Sequence, residues 1–553
     1  MNFSKSTLQV LAALIPLACA TAVHAEAAIR AVALSGQTAP GTSQQFLNFQ
    51  DAVINNSGRV SFMAQIVPNG PQGSIVGIWS EGSGSLSNVT QYFFPAPGTS
   101  GTFQQLESGA NEMNFDDAGN VGFRAQVGIL WGVWTGGSGG LSNLMYQGNP
   151  APVTTAGTNF GFPSQVLMNN SGAVTFTTQL NGPNPNPFVF NEALWTTIGG
   201  TFRAVAVANN PAPGIPGSVL AGLGTPSMNN AGLVAFTGSF LSTSVSSSTT
   251  DALWVGDPNA PVPIFLTGMA APGTSGLNFA SFGPVSLNSS GHVAFWGNLA
   301  GTSPASSVGF WSNADGTLRL MARQGDAATG LPGSTYDKLD RFRLSSSGRA
   351  VFAATALGSD NVDRLGIWAE QAGNTQLIAA SGMQAPGLPA GAVFDNLSSP
   401  DINASGLVVF DAHVLGLGMG IWADDPQGNL FPVVLPTDTL GVGKQILAIS
   451  LVPFTGGDAS GQPRYVNDAG QLSFVTTFSD DSEGVFVATV PEPTAISAAA
   501  LLPLLVRKRR AMSCAAAKGR TRTVMPLEQP ETRPWVEPPG AQANREIPSG
   551  ILM

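Results

Sequence analysis

Beyond residue 25 the chain carries two histidines, His292 and His413, and no cysteine before Cys514. Ser-His-Asp and Cys-His nucleophile sets, and zinc sites built from imidazole and thiolate, need more of these groups than that. Paired acids remain: Asp116 with Asp117, Asp424 with Asp425, and Asp480 with Asp481. None follows the alternating Asp-x-Asp-x-Asp-Gly spacing that wraps oxygen ligands around calcium. Glycosidase chemistry would need two carboxylates facing each other across a cleft. The acids therefore read as solvated loop residues and the histidines as surface or packing residues. No catalytic residue, metal ligand or cofactor is expected, and the chain is not read as an enzyme. Tryptophan is the other chemically telling group. Trp79, Trp134, Trp195, Trp254, Trp311, Trp368 and Trp422 recur at one place in a repeat, as packing between repeats requires. Trp296 stands off that pattern and is the freer candidate for contact with a ligand.

Composition narrows the classes further. With 10% charged residues, 43% apolar residues, 67 Gly and 40 Pro, the chain is too apolar for disorder and too rich in turn formers for a helical protein. That combination points to an all-β fold. A net charge of −10 argues against nucleic acid as a partner, because tracking phosphates needs clustered Lys and Arg. Cys19 and Cys514 lie near the two ends, so the body has no disulfide and its stability must come from packing.

The elements that would position any site come from a repeat. Asn-x-x-Gly-x-Val-x-Phe, or a close relative, appears around Gly58, Gly119, Gly172, Gly232, Gly291, Gly348, Gly406 and Gly470. The steps are 61, 53, 60, 59, 57, 58 and 64 residues, a mean of about 59, within the range of propeller blades and solenoid coils. Asn or Asp starts a turn and caps it with its side chain, and Gly takes a left-handed position that a Cβ would penalise. Each motif thus predicts a hairpin with a strand on either side. A Gly-Ile-Trp or Ala-Leu-Trp landmark 15 to 23 residues after each Gly, with Phe486 as the last aromatic, predicts a third strand. A short apolar run before Ala-Pro-Gly or a relative, such as 318–322, predicts a fourth, with Pro and Gly suited to the centre of a type II turn.

The phase of these landmarks is informative. The first strand of the fourth kind, 29–34, precedes every hairpin motif, while the last unit stops after its third strand at 485–490. An array whose start supplies what its end lacks is a ring, so the expected fold is an eight-bladed β-propeller of four-stranded repeats over residues 26–490, closed by N-terminal strand exchange. Closure also removes exposed sheet edges. A β-solenoid or two smaller propellers are the alternatives.

Binding residues should differ between units where structural ones agree. Five residues before each motif Gly stand Val53, Asn114, Leu167, Ser227, Ser286, Arg343, Asp401 and Tyr465. Arg343 and Asp401, from neighbouring blades, are expected to line a polar patch near the central channel, or else to form an ion pair of little consequence.

Both ends read as targeting segments. Lys5, an apolar run and small residues ending in Val23-His24-Ala25 predict a signal peptide over 1–25, cleaved after Ala25. After the last strand come Pro491-Glu492-Pro493, an apolar stretch at 495–506, and Arg507-Lys508-Arg509-Arg510. Residues 491–510 resemble the PEP-CTERM sorting signal, and the repeats resemble the NxxGxxAF tandem-repeat family often found with it. The resemblance implies export, transient inner-membrane retention by a short hydrophobic helix, and processing by an exosortase-like enzyme in bacteria that make exopolysaccharide. Pro491, Glu492, Pro493, Arg507, Lys508, Arg509 and Arg510 carry it. Twelve apolar residues fall short of the roughly 20 needed to span a bilayer, which fits transient retention better than permanent anchoring. Residues 511–553 run past the point where such proteins usually stop and read as a disordered tail, or as translated read-through.

The expected function is a non-catalytic protein of the cell envelope or extracellular matrix that binds polysaccharide or another surface protein. A secreted propeller enzyme, a lyase or glycosidase, is the competing class, and a purely structural matrix component the third. The fold itself cannot choose among them.

Overall fold

At each Asn-x-x-Gly segment the chain reverses in a tight turn. The Asn55 side-chain oxygen accepts hydrogen bonds from the amides of Ser57 (3.1 Å) and Arg59 (3.0 Å), and the same bonding recurs at Asn169, Asn403 and Asn467. The motif glycines all sit at φ between +70° and +92°, where a side chain would be strained. On either side run the strands that the Val-x-Phe pattern demands. In blade 1 these are Phe46–Ile54 and Val60–Ile66, followed by Ile75–Ser80 and Ser87–Gln91.

The computed structural model describes residues 27–490, apart from 68–72, 83, 107–112, 153–155, 185–188, 243–244, 302–306, 372, 399 and 452–464. Within them lie eight antiparallel sheets of this design, arranged as an eight-bladed β-propeller. The last blade consists of Ile446–Ser450, Gln471–Phe478, Glu483–Thr489 and, from the other end of the chain, Ala28–Leu34. Ala28 pairs with Thr489 and Leu34 with Gly484, and this sheet packs against blade 1. The ring is closed by strand exchange, which rules out the open solenoid and the pair of smaller propellers.

Apolar residues fill the spaces between blades. One cluster joins Val475, Val485 and Val487 of blade 8 to Phe62 and Trp79 of blade 1, and another joins Met63 and Ile78 of blade 1 to Phe123 and Trp134 of blade 2. The seven recurrent tryptophans are fully buried, and their role is specific. The indole Nε1 of Trp79 donates to the Pro40 carbonyl (3.1 Å), Trp134 to Pro97, Trp254 to Pro213, Trp311 to Pro272 and Trp422 to Pro386. The third strand of a blade thereby pins the Ala-Pro-Gly turn that leads into it. In blade 8 the aromatic is Phe486, which has no N–H, and the preceding connection lacks Ala-Pro-Gly. In blade 6 the ring lies over the glycine two residues before it, and a Cβ on Gly366 would stand 2.5 Å from the Trp368 ring, whereas blades 3 and 4 carry Ala193 and Ala252 at that place.

A second belt runs round the hairpin turns themselves. The amide nitrogen of Asn55 donates to the Asp116 carbonyl (3.0 Å), that of Asn169 to Asn229 (3.1 Å), Asn229 to Asn288 (2.9 Å) and Asn403 to Asn467 (3.1 Å). Asn467 donates to the Asn55 carbonyl (2.9 Å) and carries the belt across the ring closure. One asparagine therefore caps its own turn and ties it to the next blade.

The first strand of each blade is interrupted near its middle by a register shift or a break, as between Phe282 and Val285 and between Leu339 and Phe342. The break splits three of the strands into two pieces, Asp401–Ile402 being one such piece. Among the described residues the sole helix is a 3-10 turn, Ile198–Gly200, and none is long and apolar enough to cross a membrane. The transmembrane helix expected from the C-terminal resemblance is corrected to that extent. Its segment, 495–506, lies outside the described residues.

Candidate functional site

Five residues after each motif glycine, on the second strand, stand Met63, Arg124, Thr177, Thr237, Trp296, Ala353, Asp411 and Val475. The packing residues two and four after the Gly agree between units; this position, on the opposite strand face, does not. In blade 2 it is structural: Arg124 donates to the Pro163 carbonyl (2.6 Å) and lies 5.0 Å and 5.4 Å from the Phe162 and Trp131 ring centres, bridging to blade 3. In blade 5 it is Trp296, which lines an open cavity, and in blade 7 it is Asp411, which is buried.

Trp296 lies in a cavity of about 590 Å³ between blades 5, 6 and 7. Gln324 follows the outer strand of blade 5, Lys338 and Asp340 stand at the break in the first strand of blade 6, and Thr355 faces them from the second. Ser398, from the break in blade 7, completes the polar lining. Trp296 packs beside Phe310 with ring centres 6.3 Å apart. Its Nε1 is buried without a hydrogen-bond partner, and so is Oε1 of Gln324, whose Nε2 is held by the Asp337 carbonyl (2.7 Å). Both atoms are shielded from the open space of the cavity, and unpaired in its wall they cost free energy in the folded chain.

Behind Ser398 stands Asp411. The Ser398 hydroxyl bonds to the Asp411 carboxylate and accepts from Asp411 N (3.2 Å), and Ser398 N donates to the Asp411 carbonyl (3.0 Å). Burial pushes the Asp411 carboxyl up to about 6, with the Ser398 hydroxyl pulling it part of the way back.

Arg343 and Asp401 both lie within electrostatic reach of Tyr465. Asp401 is buried and its oxygens are used on backbone, accepting from Ile402 N (2.9 Å) and Tyr465 N (2.7 Å). Arg343, half-buried, donates to its neighbour's carbonyl, that of Phe342 (3.3 Å). Tyr465, wholly buried, donates its hydroxyl to the Val409 carbonyl (2.9 Å). Its pKa is raised well above the usual phenol range, first by burial and then by the charges of Asp401 and Asp411, against which Arg343 acts. The three residues Arg343, Asp401 and Tyr465, all at the same repeat position, form a polar seam through blades 6, 7 and 8.

The acid pairs are less uniform than loop acids would be. Asp480 is exposed and pairs with Lys444 (2.8 Å). Asp424 and Asp425 are buried: Asp424 meets the Arg349 guanidinium (2.6 Å), and Asp425 caps a turn through the amides of Gln427 and Asn429 (both 2.9 Å). Asp116 replaces the motif Asn and is also buried. His413 Nδ1 contacts Asp395 (2.6 Å), and His292 directly precedes the second strand of blade 5, Val293–Leu299. The signal cleavage residue Ala25 and the sorting residues Pro491, Glu492, Pro493, Arg507, Lys508, Arg509 and Arg510 lie outside the described residues.

One family model matches twice, over residues 18–257 and 252–497. The chain belongs to the Family of unknown function (DUF7453). Its two matches have the same phase. The first ends after the third strand of blade 4, Val245–Gly256, and the second after that of blade 8, Glu483–Thr489. One DUF7453 unit is therefore half a ring. No curated protein matches the chain. Solved structures to which it is similar include the Dos1 propeller, at 10% identity and a TM-score of 0.39, covering 83% of this chain and 94% of that one. Another is an oligogalacturonate lyase in complex with manganese, at 12% identity and a TM-score of 0.36, covering 85% and 99%. A third is the polysaccharide lyase Uly1, at 9% identity and a TM-score of 0.36, covering 71% and 93%. All three fall below a TM-score of 0.5, so the architecture is read from the chain's own strand pairing.

Proposed function

We propose that this chain is an exported, non-catalytic platform of the cell envelope or extracellular matrix, sorted by an exosortase-like enzyme, and that it binds polysaccharide at the Trp296 cavity. The observation that carries the reading is the half-buried indole of Trp296 in the cavity wall, set beside the side chains of Gln324 and Lys338 and the hydroxyls of Thr355 and Ser398. Sugar rings offer the matching combination, C–H faces for the aromatic and hydroxyls that both donate and accept. The placement of the chain ends supports display. Val490 bonds to the Gly470 carbonyl and Ala28 pairs with Thr489, so both ends emerge on the face of the Asn-x-x-Gly turns. The cavity sits towards the other face, which also exposes Phe93, Ile129, Phe190, Val362 and Leu415. A chain held through residues 491–510 would turn that face outward.

A catalytic reading draws on one observation, the raised carboxyl of Asp411 behind Ser398, since perturbed acids gather at reactive sites. Binding and turnover are separable. Immobilised polysaccharides should retain the wild-type protein and retain Trp296→Phe at least several-fold less, with no new reducing or unsaturated ends appearing. Equal retention of the two proteins would remove the binding assignment, and product formation abolished by Asp411→Asn would replace it with the enzyme.

A further inference from the structure

A second cavity, of about 360 Å³, opens at blade 4 and is lined by Phe190, Glu192, Thr237, Ser239, Asp251 and Phe282 among others. It occupies the same place in the repeat as the first. Thr237 and Ser239 lie five and seven residues after Gly232, and Ala353 and Thr355 lie five and seven after Gly348. The wall between the two cavities belongs to blade 5. Phe282 faces the blade 4 cavity, and its neighbour Gly283 lies so close to Trp296 that a Cβ there would stand 3.3 Å from the Trp296 Cβ. Trp296 in turn faces the other cavity. Phe190 and Phe282 thus line one cavity and Trp296 the other, with Gly283 against Trp296 between them.

We infer that the two cavities are subsites of one groove over blades 4 to 7, and that the groove takes an extended, neutral polyhydroxylated polymer. The inference rests on the polysaccharide reading above and adds the length and charge class of the ligand. Length follows from the arrangement, because only an extended chain reaches both cavities. Charge follows from the lining. Glu192, Asp251 and Asp340 face the groove against a single cation, Lys338. The Asp251 carboxylate has no hydrogen-bond partner among the described residues, and burial raises its pKa and that of Glu192 above the usual range. Desolvated carboxylates accept hydrogen bonds from sugar hydroxyls and repel the carboxylates of a polyuronate.

The test is titration calorimetry of the full chain with size-fractionated galactomannan, xyloglucan, chito-oligosaccharide and oligogalacturonate. At least one neutral series should bind with affinity that climbs with length and then levels off, as a ligand bridging two linked subsites does. Phe190→Ala, at an exposed side chain, and Trp296→Phe, which keeps a six-membered aromatic ring but removes the pyrrole part of the indole with its N–H, should each weaken the longest oligomers about tenfold. Short oligomers should respond to only one of the two substitutions. If Trp296→Phe weakens long oligomers and Phe190→Ala does not, a single cavity binds and the groove is wrong. If oligogalacturonate binds tighter than every neutral series, the charge assignment is wrong. If no polymer binds at all, the polysaccharide reading itself fails.

Discussion

Replacing Asn467 with Ala tests the ring closure at one side chain. Asn467 is fully buried; its oxygen accepts from Ala469 N (3.1 Å) and Gln471 N (2.8 Å), and its amide donates to the Asn55 carbonyl of blade 1 (2.9 Å). The substitution leaves two backbone donors without partners and takes from the Asn55 carbonyl one of its two hydrogen bonds, Gly58 N keeping the other (3.0 Å), at about 1 kcal/mol for each bond lost, so about 3 kcal/mol in total. Unfolding entropy scales with size, and about 460 ordered residues give about 1 kcal/mol per degree. Scanning calorimetry should therefore show a Tm lower by about 3 °C. Asn229→Ala supplies the comparison, since Asn229 also caps its turn and donates to the next blade, at Asn288, but far from the chain ends. In a closed ring the two shifts agree within about 1 °C. An Asn467 shift under 1 °C, or one far smaller than that of Asn229, would refute the reasoning.

Asp116 is the one acid at the motif Asn position, and it cannot donate to blade 3. Burial raises its carboxyl pKa, so the folded chain pays for its ionisation as pH rises past the usual carboxylate range. Asp116→Asn should raise Tm by about 1 °C near neutrality, consistent with one net hydrogen bond of about 1 kcal/mol, and by less near pH 4; a loss of stability at both pH values contradicts this. Asp411 gives a larger effect of the same sign. With its carboxyl held near 6 against an ordinary 3.8, the folded chain keeps a proton that the unfolded chain releases, and stability falls as pH rises through that window. The full effect, above pH 6, is at most about 3 kcal/mol. Relative to wild type, Asp411→Asn should gain stability between pH 4 and pH 7, as read by melting curves across that range, and a constant difference would contradict the assignment.

The ring was legible in the sequence because closure is a matter of phase. Residues 29–34 stand before the first hairpin and 485–490 end without a fourth strand, and no side-chain geometry is needed to see it. The belt was not legible, because Asn55 and Asp116 are 61 residues apart and a turn-capping role already accounts for the asparagine. The buried ion pair of Asp424 with Arg349 was hidden for the same reason: adjacency between blades is not adjacency in the chain. Part of the site could have been found. Comparing units five residues before each Gly led to Arg343 and Asp401, which are joined in a seam with Tyr465. The same comparison five residues after would have singled out Arg124 and Asp411 beside Trp296. Which strand face meets a cavity depends on the breaks near Asp340 and Ser398, and these leave no periodic mark.

A crystal structure of the chain with a bound neutral oligosaccharide tests the central claim most directly. The account predicts a sugar ring against Trp296, with its hydroxyls bonded to side chains of the cavity lining such as Lys338 and Thr355. An oligosaccharide seated on the Asn-x-x-Gly face, with the Trp296 cavity empty, would contradict it.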